Sequence, residues 1–266
     1  MNLNEYYGFV SNPFGKYIDM DNVYESNDYK QVYNRMRSVI DCEGIGLVTG
    51  KSGVGKTTII KSFISRLSER YKIIYVQGAQ MSIFDFYHTV CNQLDIKISD
   101  CHKIRMIEDI QRELVELKRN GIKVMVVLDD AQELPSAIIQ ELRVFYDYGL
   151  KEAASIALII VAHTDFRHTL RKEKYEMLHN RIIANYDCAG LSYNEIKGYI
   201  ENRLRSVDGN TNLFNERNYI NINSCADGNP RRLNTLMNNV LMVGYLDEKK
   251  VFDAQMIKRA KDEMEI

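Results

Sequence analysis

Gly50-Lys51-Ser52-Gly53-Val54-Gly55-Lys56-Thr57 fits the spacing G-x-x-x-x-G-K-[ST] at every fixed position. Gly46-Leu47-Val48-Thr49 before it reads as the end of a short buried strand. Thr58-Ile59-Ile60-Lys61-Ser62-Phe63-Ile64 after it reads as the first turns of an amphipathic helix. A phosphate-binding loop requires that setting. Glycines let the backbone curl and turn successive N–H groups inward. The helix N-terminus adds the positive end of its dipole. Lys56 is placed to reach the β- and γ-phosphates, and the Thr57 hydroxyl to hold Mg²⁺. Gly50, Ser52, Gly53, Gly55, Lys56, Thr57 and Thr58 are therefore the expected contacts to ATP with its Mg²⁺.

Outward from the loop, short apolar runs alternate with helical patterns, as a parallel α/β sheet requires. Strands are expected over 46–49, 72–77, 123–129 and 156–162, rich in Val and Ile as strands covered on both faces should be. Helices are expected over 56–71, 82–94, 102–120 and 135–148, with Ser82 as an N-cap. The helix over 102–120 carries Ile104, Ile107, Ile110, Leu114 and Leu117 at helical spacing, with Gly121 as its stop. A last core strand follows Arg181, and beyond Cys188 only helical patterns remain, over 192–207, 214–226, 230–246 and 254–263. The expectation is an α/β nucleotide-binding domain over 1–188 and a small all-helical domain over 189–266. Leu236, Met237 and Met242 read as packing residues of the latter.

Lys123-Val124-Met125-Val126-Val127-Leu128-Asp129-Asp130 is a hydrophobic strand ending in two acids. Asp129 is the expected Mg²⁺ partner beside the phosphate loop. Asp130 stands where a carboxylate polarises the attacking water. The fourth strand ends in Ala162-His163-Thr164, where a polar side chain is expected to contact the γ-phosphate. His163 is the first choice and Thr164 the alternative. Arg181, just before the last core strand, is the expected arginine finger, stabilising charge in a neighbouring subunit's site. Gly228-Asn229-Pro230 forms a turn that starts a helix, and Arg231 at that helix start is suited to an anionic phosphate.

With 45% apolar residues the chain can build a proper core, and its formal net charge of -1 excludes global basicity. Binding to nucleic acid would need a local basic surface. Cys42, Cys91, Cys101, Cys188 and Cys225 form no C-x-x-C pair, which argues against a disulfide framework or a zinc site. Free thiols in a reducing cytosol are expected. The N-terminus lacks the basic and apolar regions of a signal peptide, and no apolar run approaches the roughly 18 residues of a membrane span. A cytoplasmic protein without membrane contact is the expectation.

The order of these parts resembles an AAA+ ATPase. Asn12-Pro13-Phe14, Leu142-Arg143, Leu191-Ser192 and Gly228-Asn229-Pro230-Arg231-Arg232-Leu233-Asn234 are similar to the branch that holds the general secretion ATPase ExeA and the transposition regulators TnsC and TniB. The resemblance covers roughly residues 5–250. The branch usually has Asp-Glu where this chain has Asp129-Asp130, and a Gly-Gln-Pro tract where it has Ala162-His163-Thr164. ExeA-type proteins continue into a membrane span and a peptidoglycan-binding module. The sequence ends at Ile266 with neither, which favours the transposition branch.

The resemblance implies an ATP-bound homo-oligomer, ring or filament, on double-stranded DNA, which recruits or activates a transposase. Repeated phosphate contacts would make DNA binding salt-sensitive and sequence-independent. Lys97, Lys103 and Arg105 are the favoured DNA contacts, in the position where related regulators face DNA. The segment 163–174, with Arg167, His168, Arg171, Lys172 and Lys174, is the alternative. The aromatic segment 6–17 would cover the adenine or serve as a subunit-interface arm. Competing functions are an envelope-assembly ATPase of the ExeA kind and a nucleotide-gated scaffold that hydrolyses slowly because Asp130 is one methylene short.

Overall fold

A computed structural model describes residues 2–98, 102–151 and 156–264. The chain forms two compact units, one of residues 31–51 and 63–188, the other of residues 1–30, 52–62 and 189–266.

The first unit is built on a five-stranded parallel sheet of β1 (Ile45–Gly50), β2 (Tyr71–Gln77), β3 (Lys123–Asp129), β4 (Ile156–Ala162) and β5 (Ile182–Cys188). The strand order is β2-β3-β4-β1-β5, so β4 lies between β3 and β1. The central β1 and β4 are buried at every position, whereas the edge strand β5 alternates between partly buried and exposed residues. At the other edge, β2, a side chain pairs with the backbone of Tyr75. Gln93 accepts from the Tyr75 N–H at 2.6 Å and donates to the Tyr75 carbonyl at 2.7 Å.

Helices along the chain are α1 (Leu3–Tyr7), α2 (Asn27–Asp41), α3 (Lys56–Ser65), α4 (Ile83–Gln93), α5 (Lys103–Arg119), α6 (Ser136–Lys151), α7 (Phe166–Leu170), α8 (Glu176–His179), α9 (Tyr193–Arg205), α10 (Glu216–Ala226), α11 (Pro230–Leu246) and α12 (Ala254–Asp262). Alternate strand residues such as Ile74, Val76, Val126, Leu158 and Ile160 share one core with Phe86, Val90, Met106, Ile110 and Leu142 of α4, α5 and α6. The opposite face of β1 meets α2 so closely that a Cβ on Gly46 would lie 2.9 Å from Val39 and 3.0 Å from Met36.

Several expectations are corrected. The helix expected over 56–71 ends at Ser65, and Tyr71 already begins β2. Its last turn tightens through bonds from Arg66 and Leu67 N–H to the Phe63 and Ile64 carbonyls. Helix α2, which the sequence reading omits, is long and amphipathic. On α5 the core is made by Met106, Ile110 and Leu114, while Ile104 is exposed. Met242 is also about half exposed, unlike Leu236 and Met237.

The second unit packs α9, α10, α11 and α12 around Ile196, Ile200, Ile222, Leu236 and Met237. The N-terminal aromatics complete this core. Phe9 and Phe14 are buried in it, and the Tyr7 hydroxyl donates to the Leu241 carbonyl at 3.0 Å. Arg203 is 4% exposed. It donates to the Pro13 carbonyl at 2.6 Å and the Gly15 carbonyl at 2.9 Å. Phe9 and Phe14 are thus core residues of the helical unit.

Candidate functional site

The phosphate loop leaves the C-terminal end of β1, and α3 begins at Lys56. Gly53 (φ 83°) and Gly55 (φ 101°) adopt backbone conformations that side chains rarely accept. Lys56, Thr57 and Thr58 form the first turn of α3, with Lys56 buried. The curl and the helix start match the donor geometry that phosphates require, so the loop fits ATP.

Residues at the start of α11 grip this loop. The Asn229 side chain accepts from the Arg231 and Arg232 N–H groups at 3.0 and 3.3 Å, capping the helix ahead of Pro230. Its amide nitrogen donates to the Ser52 carbonyl at 2.8 Å. Arg231 donates from its backbone to the Gly53 carbonyl at 3.2 Å and from its guanidinium to the Ser52 hydroxyl at 3.0 Å. Gly53 has no room for a side chain, since a Cβ there would lie 2.6 Å from Asn229 Oδ1.

The parallel register brings a second set of groups to the C-terminal edge of the sheet. Asp129 ends β3, fully buried. The Tyr75 hydroxyl donates to its Oδ2 at 2.5 Å, and the Asp130 N–H to its Oδ1 at 3.0 Å. Burial, together with this bond and the nearby acids, pushes the Tyr75 phenol well above its ordinary range, so it stays a donor. Asp130 has a left-handed backbone (φ 51°, ψ 44°). Its Oδ2 accepts from Gln77 at 2.9 Å and its Oδ1 from Gln132 at 3.3 Å.

His163 and Thr164 follow the end of β4. The His163 N–H donates to Gln132 Oε1 at 2.9 Å, and its imidazole Nδ1 lies 3.1 Å from Asp165. Thr164 donates to Asp187 Oδ1 at 3.3 Å. The same oxygen accepts from the buried Thr49 hydroxyl at 2.5 Å, tying the ends of β1 and β5 to the second residue after β4.

Arg181 precedes β5 at the other edge of the sheet. Ile182 pairs with Ile45, the first residue of β1, while Gly50 ends that strand. Five residue steps at about 3.3 Å each put Ile182 roughly 17 Å from the Gly50 end, and Arg181 lies one residue further back. Its guanidinium donates to the Met177 carbonyl at 2.9 Å.

Of the candidate DNA contacts, Lys97 and Arg105 are exposed, and residues 99–101 between them lie outside the described residues. Lys103 is paired with Glu141 at 2.7 Å, over the Tyr87 ring. In the alternative segment, Arg167 donates to Asn185 Oδ1 at 3.1 Å. It lines a cavity of about 190 Å³ with Arg171 and His179.

Sequence reading misses Tyr75, Gln77, Gln132, Asp187 and the loop-gripping amide of Asn229. Tyr75 and Gln77 carried a signal, as polar-tipped residues two apart on one face of β2.

A glycine loop after β1, an acid pair after β3 and a strand inserted between them define a P-loop α/β protein of the AAA+ class. Residues 40–170 match the family model described as an AAA domain. General secretion pathway protein A of Aeromonas hydrophila is 21% identical over 91% of this chain and 44% of its own length. The ATP-dependent target DNA activator B of Escherichia phage Mu is 24% identical over 52% of this chain and 41% of its own length. This chain therefore spans less than half of either relative. Cdc6p of Pyrobaculum aerophilum superposes with a TM-score of 0.71 at 16% identity, over 94% of this chain and 70% of that one. RuvB, the Holliday junction branch migration motor of Thermotoga maritima, gives 0.59 at 15% identity over 96% and 74%. Residues 40–170 thus carry an AAA domain, and the chain's similarity extends to General secretion pathway protein A and to the Mu-type transposition proteins. Among the described residues no helix is long and apolar enough to cross a membrane.

Proposed function

We propose that this protein is an ATP-dependent regulator of DNA transposition that assembles on double-stranded DNA and recruits or activates a transposase. The observation that carries the multi-subunit part is Arg181, at the sheet edge opposite Gly50 and Asp129. From there it serves the site of a second copy, not its own. The relatives named as a target DNA activator and, in Haemophilus influenzae, as a Mu-like prophage DNA transposition protein B support the DNA part.

The loop residues Gly50, Ser52, Gly53, Gly55, Lys56, Thr57 and Thr58 bind the phosphates. The Thr57 hydroxyl and the Asp129 carboxylate would hold Mg²⁺, which when bound would neutralise charge on the phosphate oxygens. Tyr75 keeps Asp129 oriented. Asp130 orients the attacking water, His163 contacts the terminal phosphate, and Arg231 exchanges the Ser52 hydroxyl for that phosphate. Arg181 stabilises the transferred group in trans. Lys97, Arg105 and Lys103 supply phosphate contacts to DNA, Lys103 after release from Glu141.

Phosphate release with and without duplex DNA tests this. Arg181→Ala and Asp130→Asn are each expected to be inactive alone and to regain activity when mixed, because intact Arg181 on one copy meets intact Asp130 on another. Mixtures that stay inactive, or indifference to DNA, would count against it. A second reading, an envelope-assembly ATPase, is favoured by the longer match to General secretion pathway protein A. It predicts assembly without DNA.

A further inference from the structure

We infer that Gln132 is a positioning residue for Asp130, holding its carboxylate in place and taking its own orientation from the backbone of His163. The inference rests on the role given above to Asp130.

The Gln132 oxygen accepts from the His163 N–H at 2.9 Å. A backbone N–H can only donate, so this bond fixes which end of the amide is which. The Gln132 NH₂ is thereby turned toward Asp130, and it meets Oδ1 at 3.3 Å. Topology makes the bridge possible. Strands β3 and β4 are parallel neighbours, with Leu128 opposite Ile160. Their following residues therefore emerge side by side, and the short turn Ala131–Glu133 carries Gln132 back across Asp130.

Asp130 needs such a hold. Its left-handed backbone is uncommon for a residue with a side chain. Gly78 crowds its backbone, since a Cβ there would lie 2.0 Å from the Asp130 carbonyl oxygen. The side chain is bracketed by two neutral amides, Gln77 on Oδ2 and Gln132 on Oδ1. A neutral donor orients a carboxylate without cancelling its charge, as a residue that polarises water requires. Gln132 alone of the two also reports the position of the β4 end, where His163 lies. A shift of that strand end is transmitted to Asp130 through one side chain.

The test uses the full chain and the pair Gln132→Glu and Asp130→Asn. Glutamate keeps the size of glutamine and its acceptor for His163, but faces Asp130 with a second carboxylate. In the double variant the new asparagine amide donates to the new glutamate, restoring the bond with its direction reversed. Without nucleotide, Gln132→Glu should lower the melting midpoint by about 3 °C, a shift measurable in a chain of this size. The double variant should melt within about 1 °C of Asp130→Asn alone. With ATP, Gln132→Glu should lower kcat by about tenfold or more while KM stays within about twofold. Strictly additive melting shifts, or wild-type kcat in Gln132→Glu, would overturn the inference. Wild-type turnover in Asp130→Asn would instead overturn the role of Asp130 itself, so the two failures appear in different variants.

Discussion

Asn229 holds the phosphate loop and the start of α11 with one side chain, its NH₂ on the Ser52 carbonyl at 2.8 Å and its oxygen on the N–H groups of Arg231 and Arg232. The helix cap and the loop grip therefore cannot move independently. A phosphate that draws Arg231 off the Ser52 hydroxyl pulls on the same turn.

Asn229→Ser separates the two bonds. Serine is as good an N-cap as asparagine, so unfolding free energy should change by less than about 0.5 kcal/mol. It has no NH₂ for Ser52, so affinity for a fluorescent ATP analogue should fall several-fold. Asn229→Ala should weaken both, losing about 1 kcal/mol of stability as well. Equal affinities in the serine variant and wild type would show that the grip is irrelevant to binding.

Gly53→Ala meets two obstacles at once. The position has φ 83°, which costs a side chain about 1–2 kcal/mol. The new Cβ would also press on Asn229 Oδ1 and on Arg231 Cβ, 2.6 and 2.9 Å away. Nucleotide binding should be lost while far-ultraviolet circular dichroism stays native. A Cβ on Gly55 would meet nothing within 4 Å, so Gly55→Ala should suffer only the backbone cost and bind more tightly than Gly53→Ala.

Much of this was legible in the sequence. The strands over 123–129 and 156–162 coincide with β3 and β4, since short apolar runs rich in Val, Ile and Leu suit strands covered on both faces. The glycine loop between β1 and α3 was legible from its spacing and from the strand and helix patterns on either side. Gln132 was not, because its role comes from the register of β3 and β4 rather than from neighbours in sequence. The packing of Phe9 and Phe14 within the 6–17 segment was not legible for a related reason. Aromatics suit a ligand, an interface or a core equally well in sequence, and the distant Leu241 carbonyl and the buried Arg203 are what seat Tyr7 and Pro13 against the helical unit.

Arg203 should therefore be a stability residue. It spans from α9 to the Pro13 and Gly15 carbonyls. Arg203→Met fills similar space but orphans both acceptors, at about 1–3 kcal/mol each. Urea unfolding should register that loss, and proteolysis should release the N-terminal segment sooner. An unchanged urea midpoint would exclude the anchor.

Alkaline pH should loosen the helical unit. Burial, with Glu201 and Glu216 nearby, pushes the Tyr219 phenol up to about 12 from 10.0. Burial also raises Tyr7. The folded state thus holds the phenol proton that the unfolded state gives up first. Stability from this source is complete below pH 10 and falls as pH rises toward 12. The urea midpoint should drop across that interval, and less steeply in Tyr219→Phe. Parallel curves for the two proteins would rule the linkage out.

The most direct measurement is negative-stain electron microscopy of the protein with duplex DNA and a slowly hydrolysed ATP analogue, with Lys56→Ala as the control. Ordered rings or filaments that require both DNA and nucleotide, and vanish in Lys56→Ala, are the expected result. Assembly that ignores DNA, or no assembly under any condition, would contradict a DNA-dependent regulator.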